Sequence, residues 1–529
     1  MTAATVALVV GLTALAWQNR FVQDDAFISF RYARSLASGH GLVWNPGERV
    51  EGYTNFAWTL LAVFPHKCGF DPVGFTYVLG VLLFGASLVL TYRLSAGLAG
   101  PAAGLVAAGL LGSNYTFSSF ATGGMETQLQ ACLFVLAAYV LVRLARAGGY
   151  RPGSVALFST VLALALLTRP DSLVMVMLLG VPAAVGAWRV GSERTDRAVR
   201  MLCLLAPVGV ALVGHETFRV LYYRDLVPNT FYARLPVAKS PLLGGYYFAV
   251  FLASYLLLPL LPVLPRAVRL LWRSGVPGVR PMVALITAWF AYLLLLGGDF
   301  MEFRMLVPVM PLMFVLMVVW LFREVRGVAA RAGVVLLVLA GSVFHALCYP
   351  SWHRLKGPES VPELARHLSA PNENWAGIGK VLAESFGRQS RVVISVTAAG
   401  AIPYYSGLST VDMFGLNDRW IARHGAFSGS RPGHVRGATL GYLVSRGVNI
   451  VIGHPLMLAP GRGVDSLVVD RLTPAPGPDG RLPDSASVIE IPVHLGWRLA
   501  ALYLVRSPEV EVAIRTFGWR HHPLKAEMH

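Results

Sequence analysis

Two adjacent carboxylates, Asp24 and Asp25, follow the first apolar segment in "RFVQDDAFISFRYARSLASGHG" (20–41). A carboxylate held beside a hydroxyl group can take its proton and make a poor nucleophile a good one. Where the group under attack is linked through phosphate, the leaving group is a weak base that needs cations rather than an acid. Arg31, Arg34, Arg169, Arg234, Lys239 and Arg304 are candidate cations, and Tyr32, Tyr53, Trp58, Phe231 and Tyr232 could line a sugar or lipid groove. A plainer reading of the pair is capping, since an Asp at a helix start satisfies free amides and complements the helix dipole. One Asp suffices for that; a second beside it is repelled and suggests further work. Ala26, Phe30, Ala33 and Ala37 recur at helical spacing, with Arg31, Arg34, Ser35 and Ser38 opposite. That pattern predicts a short amphipathic helix lying in a membrane interface.

The elements that must position these residues are apolar. The chain is 55% hydrophobic and only 14% charged, far from a soluble domain's balance. A bilayer core needs roughly 20 apolar residues per helix. Charge-free runs near that length lie at 72–92, 241–265, 281–298, 305–322 and 332–350. Shorter ones lie at 2–17, 94–112, 127–142, 152–168 and 172–188, with a ragged one from Met201 interrupted by His215, Glu216 and Arg219. About eleven transmembrane helices follow. The net charge of +17 is a topology signal rather than a nucleic-acid footprint. Arginines crowd into 143–151, 189–200, 266–280 and 323–331, where the acids are only Glu193, Asp196 and Glu324. The positive-inside rule makes these loops cytoplasmic. "ALA" at 14–16 resembles a signal-peptide cleavage site, but the preceding residues lack Lys and Arg, which favours an uncleaved helix.

The other face then collects "QDDAFISFRYA", "ATGGMETQ" (121–128), "TRPDS" (168–172), "YYRDLVPNTFYARLP" (222–236) and "GGDFMEFR" (297–304). Taken singly, "RPD" reads as a tight turn with a satisfied Arg–Asp pair and "GGD" as a helix end. Five such segments on one membrane face make a candidate site. The expected division is a membrane module over 1–350 and an extracytoplasmic α/β domain over 351–529. In the latter, 391–396, 448–452 and 496–505 read as strands, 434–447 as a helix and 473–485 as a Pro/Gly-rich loop. Four scattered cysteines exclude a disulfide framework or zinc site; only Cys68 and Cys348 share the outer side. His434, His454, His494, His521 and His522 lack metal-ligand spacing.

The stretches "DDAFISFRYARSLASGHGLVWNPGERVEGYTNFAWTLL", "TGGMETQ", "PNTFYARLP" and "GGDFMEFRMLVPVMP" together resemble the GT-C superfamily of integral-membrane glycosyltransferases. Within it they are similar to the mycobacterial terminal β-(1→2)-arabinofuranosyltransferase group, a likeness that extends through 398–418. The resemblance implies a polytopic α-helical membrane protein of the GT-C type in the cytoplasmic (inner) membrane. It also implies inverting transfer of a single sugar, arabinofuranose in that group. The sugar would pass from a polyprenyl-phosphate donor to a cell-envelope glycan or lipid acceptor on the outer face. The superfamily's essential aspartate maps to Asp24 or Asp25, with Asp24 taken as base and Asp25 as the group that orients the acceptor or tunes the base. Arg31, Tyr32, Glu126, Arg169, Asp171, Asn229, Tyr232, Asp299 and Arg304 become donor- or acceptor-binding candidates. No metal ligand is assigned; some GT-C oligosaccharide transferases use a divalent ion, but no acidic cluster beyond the Asp pair argues for one. The competing readings are a transporter or flippase for a lipid-linked sugar, a glycan-binding scaffold, and a ligase moving a whole lipid-linked glycan.

Overall fold

A computed structural model describes the chain except for residues 1–2, 147–148, 192, 235–239, 353–356, 388, 428–434, 473, 475–480 and 525–529. Among the described residues seven helices are long and apolar enough to cross a membrane: Pro72–Ala99, Thr127–Arg146, Pro170–Val190, Arg194–Tyr223, Val279–Leu296, Arg304–Glu324 and Val328–Ser351. Ala3–Gln18, Pro101–Ser113, Pro152–Thr168 and Ser240–Ser254 are shorter apolar helices interspersed among them. These eleven overlap the eleven expected segments, but the run expected over 241–265 ends as one helix at Ser254, and the one expected over 94–112 starts at Pro101 because 94–99 belong to Pro72–Ala99. Punctuation is local: Asp71 caps the first turn of Pro72–Ala99, accepting from Val73 and Gly74 at 3.3 and 2.8 Å, and Gly297 ends Val279–Leu296 with φ +92°. The ragged segment from Met201 belongs to the 30-residue helix Arg194–Tyr223. Its interrupting Arg219 is buried and pairs with Glu51 at 2.7 Å.

Beyond the last long helix lies a six-stranded sheet in the order Ser409–Asp412, Val393–Val396, Ile450–Leu458, Trp497–Tyr503, Ser487–His494, Arg520–Pro523. The first three strands are parallel and the rest antiparallel. The three strands expected from the sequence are present. The helix expected over 434–447 is only Leu440–Ser445, because Arg436–Gly437 pairs with Ala426–Phe427 instead; His434 lies outside the described residues. All four cysteines are free.

The Asp24–Ala37 helix departs most from expectation. Its apolar face is covered, Phe27 and Phe30 packing against Tyr404 and Tyr405 and Ala26 lying against Gly124, and its polar face is buried too, with Arg31 2% exposed. The Ala401–Ser406 helix lies along it in parallel. At that helix's start, the Asp24 carboxylate accepts from the Gly400 and Ala401 amides at 3.0 and 2.7 Å. At its far end, Arg31 donates to Pro403 O and to Leu408 O, and Arg34 to Tyr404 O. An anion at the N-terminus and cations at the C-terminus match the helix dipole. The backbones touch: a Cβ on Gly400 would stand 1.9 Å from Asp24 O. Periodicity separated a polar from an apolar face, but water and a polar protein surface look alike to it.

Burial pushes the Asp24 carboxyl up to about 7, helped by Asp25 and opposed by the two amides. The fold therefore favours the protonated acid relative to an unfolded chain near the ordinary value of 3.8. Stability from this group is complete below that value and is lost as pH rises through about 7. Thermal unfolding in detergent should show wild type losing stability from pH 5 to 8 by a component absent from Asp24→Asn. Gly400→Ala should destabilise the domain contact by about 1–3 kcal/mol and open the 395–410 region to limited proteolysis; a wild-type digestion pattern would contradict the close-contact argument.

Candidate functional site

The two adjacent carboxylates diverge. Gln23 caps their helix, its side-chain oxygen accepting from Asp25 N at 2.5 Å, so neither Asp is needed for that task. Asp24 is 4% exposed and both its oxygens hold the Gly400 and Ala401 amides. The side chain of Asp25 is 34% exposed, with Arg304 Nη1 4.0 Å from one oxygen. Burial raises its pKa, Arg304 and Arg234 lower it, and Asp299 and Glu126 raise it.

These neighbours come from separate elements. Arg304 opens the Arg304–Glu324 span; its Nε donates to Asp299 Oδ2 at 2.8 Å and its Nη1 to Met125 Sδ at 3.2 Å. The "RPD" turn forms the expected pair, Arg169 holding Asp171 at 2.8 Å. Arg169 also reaches across to Glu126 at 2.7 Å, and Gln130 donates to Asp171 at 2.8 Å. From Glu126 the network runs to Asn55 Nδ2 at 2.8 Å and on to Ser29 of the Asp25-bearing helix. Arg234 follows the short Asn229–Ala233 helix and lies within electrostatic reach of Asp299, Arg304 and Arg169. Among the described residues it makes no ion pair. Five of the expected residues (Asp25, Glu126, Arg169, Asp299 and Arg304) thus gather in one charged cluster, with Asp171 paired to Arg169. Among the described residues no group of three His, Cys, Asp or Glu could hold a metal ion.

Four other candidates are engaged elsewhere. The Arg31 guanidinium is held by the carbonyls of Trp44, Pro403 and Leu408 and the side chain of Asn45. Tyr32 Oη donates to Val50 O at 2.7 Å and accepts from Gly52 N at 2.9 Å. Asn229 Nδ2 donates to the carbonyls of Gly415 and Leu416 at 2.8 and 3.0 Å. The Tyr232 ring lies under Arg423, with the guanidinium carbon 4.1 Å away. Tyr32 Oη also lies 3.1 Å from Asn417 Oδ1, so all four fasten the C-terminal domain to the helix ends; their polar types were legible, their partners in that domain, 186 to 385 positions away, were not. Lys239 lies outside the described residues. Asn55 and Glu302 were missed. The polar "YTN" (53–55) before an apolar stretch was the available signal for the first, and Glu302's place beside Arg304 for the second.

Below this layer an apolar groove of about 560 Å³ runs between the helices. Phe251, Tyr255, Leu264, Phe290, Met313 and Trp320 are among its walls. Phe251 and Tyr255 also pack on Phe303, at 5.1 and 6.2 Å between ring centroids, next to Arg304.

A family model described as a domain of unknown function (DUF8728) matches residues 366–512. The terminal β-(1→2)-arabinofuranosyltransferase of Mycobacterium tuberculosis is 30% identical over 305 residues, covering 53% of this chain and 47% of that protein. Its namesake from Corynebacterium glutamicum is 27% identical over 366 residues, covering 60% and 50%. The chain therefore spans about half the length of the curated relatives it matches. The crystal structure of ArnT from Cupriavidus metallidurans bound to undecaprenyl phosphate superposes with a TM-score of 0.55 at 12% identity, over 95% of this chain and 97% of that one. The apolar helices, the sheet-bearing C-terminal domain and this superposition together give the chain the fold of the GT-C membrane glycosyltransferases.

Proposed function

We propose that this protein is an inverting glycosyltransferase. It would move a single sugar from a polyprenyl-phosphate donor to a glycan or lipid acceptor, at the membrane face that carries the C-terminal domain. The observation that carries the reading is Asp25, a part-exposed carboxylate without a side-chain hydrogen bond among the described residues, 4.0 Å from the buried Arg304 and within electrostatic reach of Arg234, which makes no ion pair among those residues. In the proposed step Asp25 takes the acceptor hydroxyl proton as that oxygen bonds to the anomeric carbon. The bond from the anomeric carbon to the phosphate oxygen breaks, and the electron pair leaves with the polyprenyl phosphate. Arg234 and Arg304 receive that charge. Asp24, taken as base from the sequence, serves in this reading to hold the domain.

The apolar groove suits the prenyl chain, and its walls Phe251 and Tyr255 pack on Phe303, the residue before Arg304. The similarity to arabinofuranosyltransferases supports arabinofuranose as the sugar. The arginine-rich loops at the opposite helix ends support an extracytoplasmic placement of the site in the inner membrane and of the domain over about 351–529.

The test is transfer by the purified protein in detergent, from a panel of synthetic decaprenyl-phosphate sugars to a cell-envelope glycan. Asp25→Asn should lower the rate by at least about 100-fold, whereas Asp24→Asn keeps measurable transfer at neutral pH. Loss in Asp24→Asn with normal rates in Asp25→Asn would reverse the two roles, and no transfer by wild type from any donor would reject the reading.

A further inference from the structure

The loop "GGDFMEFR" (297–304) carries Asp299 and Arg304 to the site through a backbone that local preference would not choose. Gly297 and Gly298 have φ of +92° and +78°. Phe303 has φ +43°, a left-handed conformation costly for any residue with a Cβ. Such residues persist where their surroundings over-determine them, and two anchors do so here.

The Phe303 ring is fully buried against Tyr247, Phe251, His345 and Tyr349. Beside it, the fully buried Glu302 carboxylate is held from three directions. Oε2 accepts from the amide of Val361 at 2.8 Å, at the start of the Val361–Ser369 helix. Oε1 lies 3.0 Å from His345 Nε2 in the last membrane helix and 3.3 Å from Thr116 Oγ1. The Glu302 backbone adds a bond to Glu359 O at 2.9 Å, and Glu359 N returns one to Phe300 O at 2.7 Å. A carboxylate at 0% exposure with this many partners, two residues from Arg304, is not explained by binding a substrate it cannot touch.

We propose that Glu302 and His345 form a positioning pair that fixes the 297–304 loop and so sets the separation of Arg304 from Asp25. His345 donates through Nε2 to Glu302, and Glu302 ties the loop to both the last membrane helix and the C-terminal domain. The idea rests on the reading of Asp25 as base. It makes a separate claim: loosening Glu302 moves Arg304 and changes the field at Asp25 without removing any group that faces it. Those groups are Arg304, Asp299, Arg234, Glu126 and the neighbouring Asp24.

The test uses the full-length protein carrying Glu302→Gln, which keeps an acceptor for the Val361 amide, or His345→Phe, which keeps the ring stack. Two readouts are taken. Hydrogen exchange of the 297–304 amides, which needs no activity, should quicken by about tenfold in both variants, with the Val279–Leu296 helix unchanged. In transfer assays kcat should fall about tenfold, and the acid limb of the pH–rate profile should move up by about one unit as Arg304 ceases to hold Asp25 ionised. A purely structural residue would lower the active fraction and leave the acid limb in place. Unchanged loop exchange, or an unmoved acid limb in an active variant, would overturn the proposal. Should wild type transfer nothing, the functional reading falls while loop exchange still decides the anchoring claim.

Discussion

The structure depends on buried carboxylates of the membrane part that hold the first amides of helices in the C-terminal domain. Asp24 does so for Ala401–Ser406, and Glu302 for Val361–Ser369. Arg31 and Arg34 complete the first contact from the other helix end. Removing one partner of such a buried bond leaves the other at its full desolvation cost. The domain is therefore not a loose appendage, and the loops that shape the charged cluster are held from both sides.

This arrangement separates two neighbouring residues of identical chemistry. Asp24 is turned into the domain contact and Asp25 towards the charged cluster. Around Asp25 the other acids are paired: Glu126 and Asp171 share Arg169, and Asp299 holds Arg304. Among the described residues Asp25 has only the 4.0 Å contact with Arg304, and Arg234 makes no ion pair. A site that activates a hydroxyl and receives a departing phosphate needs that pair of opposite, separately placed charges.

Much of this was legible in the chain. The apolar segments announced themselves because a bilayer demands length and few charges, and even the ragged stretch from Met201 is one helix once Glu51 is seen to neutralise Arg219. The site's face was legible from five polar segments falling on one side, and Asp25, Glu126, Arg169, Asp299 and Arg304 do converge. The different surroundings of Asp24 and Asp25 were not legible, because the amides that engage Asp24 lie at 400 and 401. The same distance hid the anchoring roles of Arg31, Tyr32 and Asn229, whose types suit a binding site equally well. Glu302 was hidden differently: its partner His345 sits in an apolar helix, where a lone histidine carries no motif.

The most direct test is a structure of the full-length protein with decaprenyl phosphate bound. The account predicts the phosphate within hydrogen-bond distance, about 3 Å, of the Arg234 and Arg304 guanidinium groups. The prenyl chain should lie in the groove past Phe303, Asp25 should face the phosphate across the space left for a sugar, and Asp24 should remain on the Gly400 and Ala401 amides. A phosphate held away from both arginines, or an Asp24 released from those amides and turned towards the lipid, would contradict it.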